Sequence, residues 1–444
     1  MTKSMTEGSP LKLILQFSLP LLAGNIFQQL YNIVDAAIVG KILGANALGS
    51  VGASSSVQFL VLGFCIGVCI GFSIPVAQKF GAQDMAGMRK SIFHGGMLTV
   101  LFAVILTIGC SISTAAILRI LQTPDEIFAD AYSYLLVIFL GIPFTMLYNF
   151  LSGLLRAVGD SKTPFIFLTL SAILNIILDL FFIIVLKWGC AGAAIATIIS
   201  QGVSGILCLI LIIIKFDLLH PRKEDMKFDG YYARQVFVMG VPMGLQYSIT
   251  AIGSMVLQSA NNSLGTTAVS AFTAALKIKQ FAMCPFDAFA TAISTFVSQN
   301  YGAGKFDRLK KGVIQGTTVS VSYGVIIGIV LILFGKDLSL LLVNADNTAV
   351  LQAAALYLKC MGFFYWTLGI LNSLRMSTQG LGFSGRAVFS GATEMIARIV
   401  ISLVFVPMYG YYAICWADQT AWVSACFYIV PTFIYCVRKL TVKK

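Results

Sequence analysis

The sequence predicts an all-α integral membrane protein with twelve transmembrane helices arranged in two six-helix lobes. Its 444 residues are 58% hydrophobic and only 11% charged, whereas about 25% of residues are charged in soluble proteins. So few charged residues cannot cover a globular surface, and most of this surface must therefore face lipid. The composition excludes soluble enzymes, nucleic-acid-binding proteins and secreted disulfide scaffolds as classes.

Twelve apolar stretches are each long enough to cross the roughly 30 Å hydrocarbon core, which takes about 20 helical residues. Short polar connectors separate them, the longest being 215–235. The first stretch is too long for the apolar part of a cleavable secretory signal, so we interpret it as a spanning helix. The predicted spans are 14–39, 53–79, 93–118, 128–152, 165–186, 191–214, 236–262, 268–297, 313–334, 350–374, 387–407 and 411–437.

The basic residues behind the net charge of +12 are distributed unequally between the two sides of the membrane, which indicates the topology. Of the 30 Lys and Arg residues, 22 lie near connectors on the side that holds both termini, and four lie on the opposite side. Lys and Arg concentrate on the cytoplasmic side of membrane proteins, so both termini are predicted to be cytoplasmic. The expected partners are the lipid bilayer and small-molecule organic substrates, with no nucleic acid.

Cysteine and histidine usage argues against a metal or haem site. The ten cysteines lie almost entirely within apolar runs, and the two histidines are His94 and His220. The sequence contains no CxxC pair and no Cys/His ligand pattern. We therefore expect free thiols packed as small hydrophobic groups and no resident cofactor.

The two halves of the chain resemble each other. Val76–Ala82 (VAQKFGA) matches Val297–Ala303 (VSQNYGA) at an offset of 221, and a basic connector follows each motif. Six helices per copy give both copies the same orientation, related by a pseudo-two-fold axis along the membrane normal. The predicted organisation is an amino-terminal lobe, a cytoplasmic connector and a carboxy-terminal lobe, at 1–214, 215–235 and 236–444 respectively.

Five acidic residues fall inside predicted spans, namely Asp35, Asp179, Asp287, Glu394 and Asp418. On insertion scales each costs about 2.5–3.5 kcal/mol at mid-span, so each needs a partner or water. A functional site is the default interpretation of such carboxylates. The alternative is an internal ion pair that holds helices together.

Polar side chains of the first lobe converge on one layer near the outer surface. They form three groups on single helix faces: Asn25, Gln28, Asn32 and Asp35 on helix 1; Asn175 and Asp179 on helix 5; Thr197, Gln201 and Ser204 on helix 6. At about 1.5 Å per residue, Asp35, Asp179 and Thr197 lie within about 10 Å of that surface, level with Tyr134. Such oxygen ligands suit Na⁺, and a close carboxylate pair also suits a proton. The pattern favours a cation site over hydrogen bonds that merely join helices.

The chain resembles the multidrug and toxic compound extrusion (MATE) family, prokaryotic branch, over essentially its whole length. The matching features are the spacing from Pro20 to Asp35, the run LRAVGDSKTP that ends at Pro164, the Asn175/Asp179 pair and the 18-residue step to Thr197. Any one of these features alone would be weak, but together they are specific.

The resemblance implies a set of roles for individual residues. It implies that Asp35, Asn175, Asp179 and Thr197 bind Na⁺ or H⁺. Tyr134 and Gln201 are expected beside this site. Pro20 is expected to act as the hinge of helix 1, since proline lacks the N–H that a continuous helix uses.

The second lobe departs from the first at the matching positions. Asn175 corresponds to Arg398, Thr197 corresponds to Asp418, and Glu394 lies one turn before Arg398. We hypothesise that Arg398 is a fixed internal cation clamped by Glu394 and Asp418, because an isolated buried charge would be far less stable than a matched set. Candidates for the substrate cavity are Gln28, Asn32, Asn149, Tyr247, Lys277 and Asp287.

The expected function is secondary active multidrug efflux in a prokaryotic inner membrane, by a chain that works as a monomer and is not an enzyme. Na⁺ or H⁺ would be exchanged for amphiphilic, often cationic, organic compounds by alternating access. The alternative is a flippase for a lipid-linked saccharide of the same superfamily. An intramembrane enzyme, a channel and an ATP-driven pump lack their motifs here, since neither HExxH, GxGD, a repeated filter loop nor GxxxxGK[ST] occurs.

Overall fold

The computed structural model describes residues 3–121 and 123–442. Every regular element in these ranges is helical, which confirms the predicted all-α class. The α-helices are α1 (Pro10–Ile42), α2 (Ala45–Gly81), α3 (Met85–Ile120), α4 (Asp125–Leu140), α5 (Ile142–Ala157), α6 (Lys162–Leu180), α7 (Gly189–Lys215), α8 (Gly230–Asn262), α9 (Thr266–Gly302), α10 (Phe306–Leu340), α11 (Thr348–Gly380), α12 (Ser384–Val400), α13 (Val406–Tyr409) and α14 (Tyr411–Val442). Two π-helical turns, Phe181–Val185 and Ile401–Phe405, continue α6 and α12, and a 3₁₀ turn, Asp217–Leu219, follows α7.

The helices are long and apolar enough to cross a bilayer twelve times. Eleven continuous segments of the described chain meet this requirement, and the bent pair α4–α5 supplies the twelfth span. Large apolar side chains lie exposed on their outer faces, including Ile112, Ile120 and Phe427, each about four-fifths exposed. Exposed apolar side chains around helices that satisfy their own backbone hydrogen bonds are what a lipid environment requires.

The fourth predicted span, 128–152, is not one straight helix. It breaks at Gly141, where α4 and α5 meet at 44°. Pro143 occupies the first turn of α5 and cannot donate a backbone hydrogen bond to the preceding turn. A Cβ atom on Gly141 would lie 2.3 Å from Cγ1 of Ile198 on α7, so the break also depends on a residue without a side chain.

One compact unit of the chain, unit 1, is formed by Ala23–Gly244 together with Lys3 and Ser4. Its core is apolar, with Phe72, Phe139 and Met146 fully buried. The first half of α8 packs directly on α2 in this unit. A Cβ atom on Gly71 would lie 2.5 Å from the Cα of Gly240, so this approach requires glycine.

The other compact unit, unit 2, is formed by Met5–Leu22 together with the chain from Leu245 onward. Aromatic side chains dominate its larger core, where Tyr357, Tyr365 and Trp422 are buried. A smaller core joins the first half of α1 to α9, through Ile14 and Phe296.

The boundaries of the two units differ from the predicted lobes at two helices. The first half of α1 is grouped with unit 2 and the first half of α8 with unit 1, whereas the sequence places each helix entirely in its own lobe. Both changes fall two residues after a proline inside the helix, Pro20 in α1 and Pro242 in α8. Each proline removes one intrahelical hydrogen bond, which makes these the points where α1 and α8 can bend most easily.

The position of Arg375 differs from the one assumed when the basic residues on the side of the termini were counted. Its position in the sequence predicts a place near a cytoplasmic connector, but α11 continues to Gly380 and buries Arg375. Its guanidinium pairs with Glu394 on α12. Leaving Arg375 out does not change the bias of the other basic residues toward the side of the termini.

Candidate cation site

Two carboxyl groups meet inside unit 1. Asp35 on α1 and Asp179 on α6 lie within hydrogen-bonding reach of each other. Asp179 is fully buried and Asp35 half-buried. Each has a buried Oδ1 atom without a hydrogen-bond partner among the described protein atoms. Because ionised carboxylates only accept hydrogen bonds, a proton or a metal cation is needed for the two groups to approach in this way.

An amide and a hydroxyl complete the predicted oxygen set. With the Asn175 amide oriented so that both of its atoms are satisfied, its nitrogen donates to Oδ2 of Asp179 at 2.9 Å. Its oxygen accepts from the backbone nitrogen of Thr197 at 3.2 Å and from the Thr197 hydroxyl at 3.3 Å. Asn175 is buried, like Asp179. The four residues predicted to bind the cation are therefore brought together by α1, α6 and α7.

Two tyrosines extend this cluster. The hydroxyl of Tyr31, one turn before Asp35, hydrogen-bonds with the side chain of Thr197. The buried Tyr134 on α4 hydrogen-bonds with Gln58 on α2. Neither Tyr31 nor Gln58 is among the residues predicted for the site. The four-residue step from Tyr31 to Asp35, which places these two side chains on one helix face, was a signal for Tyr31.

A π-helical turn follows the site directly. Phe181–Val185 begins two residues after Asp179, and Ile401–Phe405 begins three residues after Arg398 in unit 2. Single π-helical turns within α-helices occur often at functional sites, because they change the direction of the side chains around them. The same feature therefore occurs beside the carboxyl pair in unit 1 and beside Arg398 in unit 2.

Other predicted residues of the first lobe have different surroundings. Gln201, predicted as a neighbour of the cation site, accepts a hydrogen bond from Thr145 on α5 at 2.5 Å. Gln28 and Asn32 are exposed on α1, and Asn149 donates to the backbone oxygen of Thr145 at 2.8 Å.

Unit 2 contains a dense cluster of buried charges at the corresponding place. Arg398 donates to Oδ1 of Asp418 at 3.0–3.1 Å and lies 3.4 Å from Oε2 of Glu394. Tyr357 donates to Oδ2 of Asp418 at 2.5 Å. The arrangement brings together the three residues that the sequence hypothesis assigns to a clamp.

Two further cations join this cluster. Lys279 pairs with Oδ2 of Asp418, and Arg375 pairs with Oε1 of Glu394. The side chains of all five residues are at most 12% exposed. We name Lys279, Arg375, Glu394, Arg398 and Asp418 the charge cluster; it holds three basic and two acidic side chains.

Lys279 shows how the two units differ in detail. Helices α2 and α9 correspond at an offset of 221 along their full lengths, which places Lys279 where unit 1 has Gln58. In unit 1, Gln58 binds a tyrosine beside the carboxyl pair. In unit 2, the equivalent side chain, Lys279, donates a hydrogen bond from its ammonium group to Asp418.

Three cavity candidates remain in unit 2. Asp287 on α9 is exposed and accepts from Asn372 on α11 at 3.5 Å. Lys277 is half-buried, and the ion pairs found within residues 3–121 and 123–442 do not include it. Tyr247 on α8 is half-buried.

Comparison with known proteins identifies the family. The MatE family model matches residues 20–181 and 242–404, one match in each half of the chain. The chain belongs to the MATE family. It is therefore a multi-pass membrane transporter and not an enzyme.

Individual MATE relatives match over most of this chain. It is 33% identical over 377 residues to the probable multidrug resistance protein YpnP of Bacillus subtilis, covering 82% of this chain and 81% of YpnP. It is 26% identical to the probable multidrug resistance protein YoeA of the same organism, covering 85% and 83%. An outward-facing multidrug resistance MATE transporter of the MOP superfamily has the same fold, with a TM-score of 0.92 at 22% identity over 98% of each chain.

Proposed function

We propose that this MATE transporter is a secondary active exporter in which Na⁺ or H⁺ enters the Asp35/Asp179 site and amphiphilic organic compounds, often cationic, leave the cell. The observation that carries the proposal is the buried approach of these two carboxyl groups, each with an orphaned oxygen atom. Burying two like charges is strongly unfavourable. The site therefore binds one positive charge or changes its shape when that charge leaves.

This dependence on charge provides the coupling. A driving ion can shift a conformational equilibrium only by its different affinity for the two states. With the pair neutralised, Asp35 and Asp179 can remain together; with both ionised, they repel each other. The two groups titrate as one unit, so the coupling belongs to the pair and not to either residue.

Helix α1 carries the resulting movement. Asp35 lies on the half of α1 that is grouped with unit 1, and Pro20 lies two residues before the point where α1 changes unit. Separating Asp35 from Asp179 therefore tilts the second half of α1 about a weak point in its hydrogen-bond ladder. We propose that this tilt changes the volume available to the substrate.

We also propose an orientation and a setting for the transporter. The excess of Lys and Arg on the side of the termini supports a cytoplasmic location for both termini in a prokaryotic inner membrane. The protein is proposed to act as a monomer without a resident cofactor. Its amino- and carboxy-terminal lobes are proposed to alternate access, with the 215–235 connector between them.

Dye efflux from proteoliposomes tests this function. Ethidium export is measured with a Na⁺ gradient, a pH gradient or no gradient. We expect one of the two gradients to be required and its dissipation to stop export. Equal flux without either gradient would contradict antiport and would instead fit a flippase or a channel.

A further inference from the structure

A basic cavity lies in unit 2 where α1 begins and α10 makes its first turns. Its volume is about 480 Å³, and it is lined by Gly8–Pro10 from the turn before α1 and by Asp307, Arg308, Lys311 and Gln315 from α10. By the Lys and Arg distribution, this end of α10 faces the cytoplasm.

The cavity wall contains a cation that the chain holds in place. The terminal nitrogens of Arg308 donate to the backbone oxygens of Gly8, Glu7 and Met5 at 2.5, 2.9 and 3.1 Å. These bonds hold the guanidinium in place without a carboxylate. Its buried Nε has no acceptor, and the buried Oε1 of Gln315 has no donor, among the described protein atoms.

Positive charge exceeds negative charge around this cavity. Lys305, Arg308, Lys310 and Lys311 lie within the first turns of α10 or just before it, and Lys12 lies in the first turn of α1. The acidic residues nearby are Glu7 and Asp307. In the described ranges, neither Arg308 nor Lys311 belongs to an ion pair, so the charge remains available to a ligand.

In unit 1, a basic residue near the start of α3, the helix that corresponds to α10, is paired with a carboxylate from the chain itself. Arg89 on α3 pairs with Asp225 of the connector at 2.7 Å. Asp225 is buried and also accepts from the backbone nitrogen of Arg222 at 3.0 Å. Unit 2 has basic residues at the start of its matching helix, and among the described residues none of them forms an ion pair with a carboxylate.

An apolar stripe leads away from the cavity along α10. Ile314, Ile326 and Leu333 are about two-thirds exposed, and Ile314 follows Lys311 by three residues. The step of three residues places Ile314 beside Lys311 on the same face. A ligand on this surface would therefore meet positive charge at one end and a long hydrocarbon surface beyond it.

We propose that this cavity and the α10 stripe bind an anionic glycerophospholipid, with its phosphate between Arg308 and Lys311 and its acyl chains along α10. Basic pockets at the cytoplasmic ends of transmembrane helices suit the phosphate groups of acidic lipids. The exposed ammonium of Lys311 can donate to phosphate oxygens, and the Arg308 guanidinium adds a second positive charge beside it. Free inorganic phosphate would use the same cations but none of the stripe.

Native mass spectrometry of the detergent-solubilised full chain tests the site. The protein is titrated with dioleoyl-phosphatidylglycerol or dioleoyl-phosphatidylcholine. We expect phosphatidylglycerol to be retained preferentially, and its apparent affinity to fall about five-fold in Lys311→Gln, the loss typical of one basic residue near an anionic lipid surface. Lys336→Gln removes the same charge from the opposite end of the same helix and should leave retention unchanged.

A second variant separates the site from general charge effects. Gln315→Glu adds a carboxylate to the lining of the same cavity and should also lower phosphatidylglycerol retention. Equal retention by Lys311→Gln and Lys336→Gln, or equal retention of the two lipids, would overturn the proposal. Displacement of phosphatidylglycerol by low-millimolar inorganic phosphate would overturn the assignment to a lipid.

Discussion

The two units of this transporter differ in how they neutralise carboxyl groups at corresponding positions within their helices. Unit 1 brings together the buried Asp179 and the half-buried Asp35, and none of the ion pairs within residues 3–121 and 123–442 includes either of them. Unit 2 buries Asp418 against the tethered cations Lys279 and Arg398. The comparison teaches that a buried carboxylate can be neutralised by the chain itself or by an ion from solution. Only a carboxylate that is neutralised by an ion from solution can respond to an ion gradient.

The strongest expected effect is on the charge cluster of unit 2. Asp418→Asn leaves Lys279 and Arg398 buried without their shared partner. Removing one partner of a buried ion pair destabilises a protein by about 3–5 kcal/mol. We expect a large loss of folded protein, measured by size-exclusion chromatography and thermal melting of the solubilised protein.

The control for this prediction is Asp217→Asn, because the side chain of Asp217 is 98% exposed within the connector. It should melt as the wild type does. Wild-type melting of Asp418→Asn would show that the cluster contributes nothing to stability. If Arg398→Met and Arg398→Lys both also left folding and transport unchanged, the clamp would be excluded.

Moving a basic residue of unit 2 to the equivalent position of unit 1 tests whether a side-chain cation can neutralise the carboxyl pair. Gln58→Lys introduces into α2 the residue that α9 carries as Lys279. A tethered ammonium beside the carboxyl pair should replace the mobile cation, so we expect folded protein whose gradient-driven dye export falls by about a factor of ten or more. Gln58→Met, of similar length but uncharged, should retain more export than Gln58→Lys. The comparison would fail if both variants exported alike.

A smaller effect is expected from the hydroxyl groups around the pair. Tyr31→Phe removes one hydrogen bond with Thr197, and a single hydrogen bond contributes about 0.5–1.5 kcal/mol. The ion concentration that half-saturates export should rise by roughly two- to ten-fold. Tyr148→Phe, which loses a hydrogen bond to the backbone of Pro164 at 3.1 Å, should leave that concentration unchanged. Equal shifts in the two variants would remove Tyr31 from the site.

The smallest expected effect is at the connector of unit 1. Burial raises the pKa of Asp225, but the hydrogen bonds from Arg89 and from the backbone of Arg222 outweigh it, so the pKa lies below its usual value. Such a carboxylate stabilises the fold above its unfolded pKa of about 3.9, and the stability is lost as pH falls through the lower, folded value.

The measurement for Asp225 is the melting temperature of solubilised protein between pH 5 and pH 3. The wild type should lose stability over this range, and Asp225→Asn should lose less, by roughly 1 kcal/mol or below. Identical pH dependence in the two proteins would show that the Arg89 pair has no energetic role.

Much of the fold and part of the site follow from sequence for identifiable reasons. Apolar runs of spanning length predict the helices, because a bilayer imposes one length on all of them. The steps between Asp35, Asn175, Asp179 and Thr197 predict their convergence, since helical spacing and depth place them in one layer.

Other features depend on contacts that local patterns do not encode. The break at Gly141 requires knowing that Ile198 lies against it. Lys279 and Arg375 have no sequence neighbour that reveals Asp418 and Glu394 as their partners. The position of Lys279 opposite Gln58 in the repeat was the available signal for the first of these pairs.

The carboxyl pair itself is tested most directly by export from proteoliposomes carrying Asp35→Asn, Asp179→Asn or both. Because the two groups are proposed to bind one charge as a unit, each single variant should lose gradient-driven export as completely as the double variant, with protein folded in all three. Export that persists in the double variant, or that is halved by each single change and lost only when both are combined, would contradict the account.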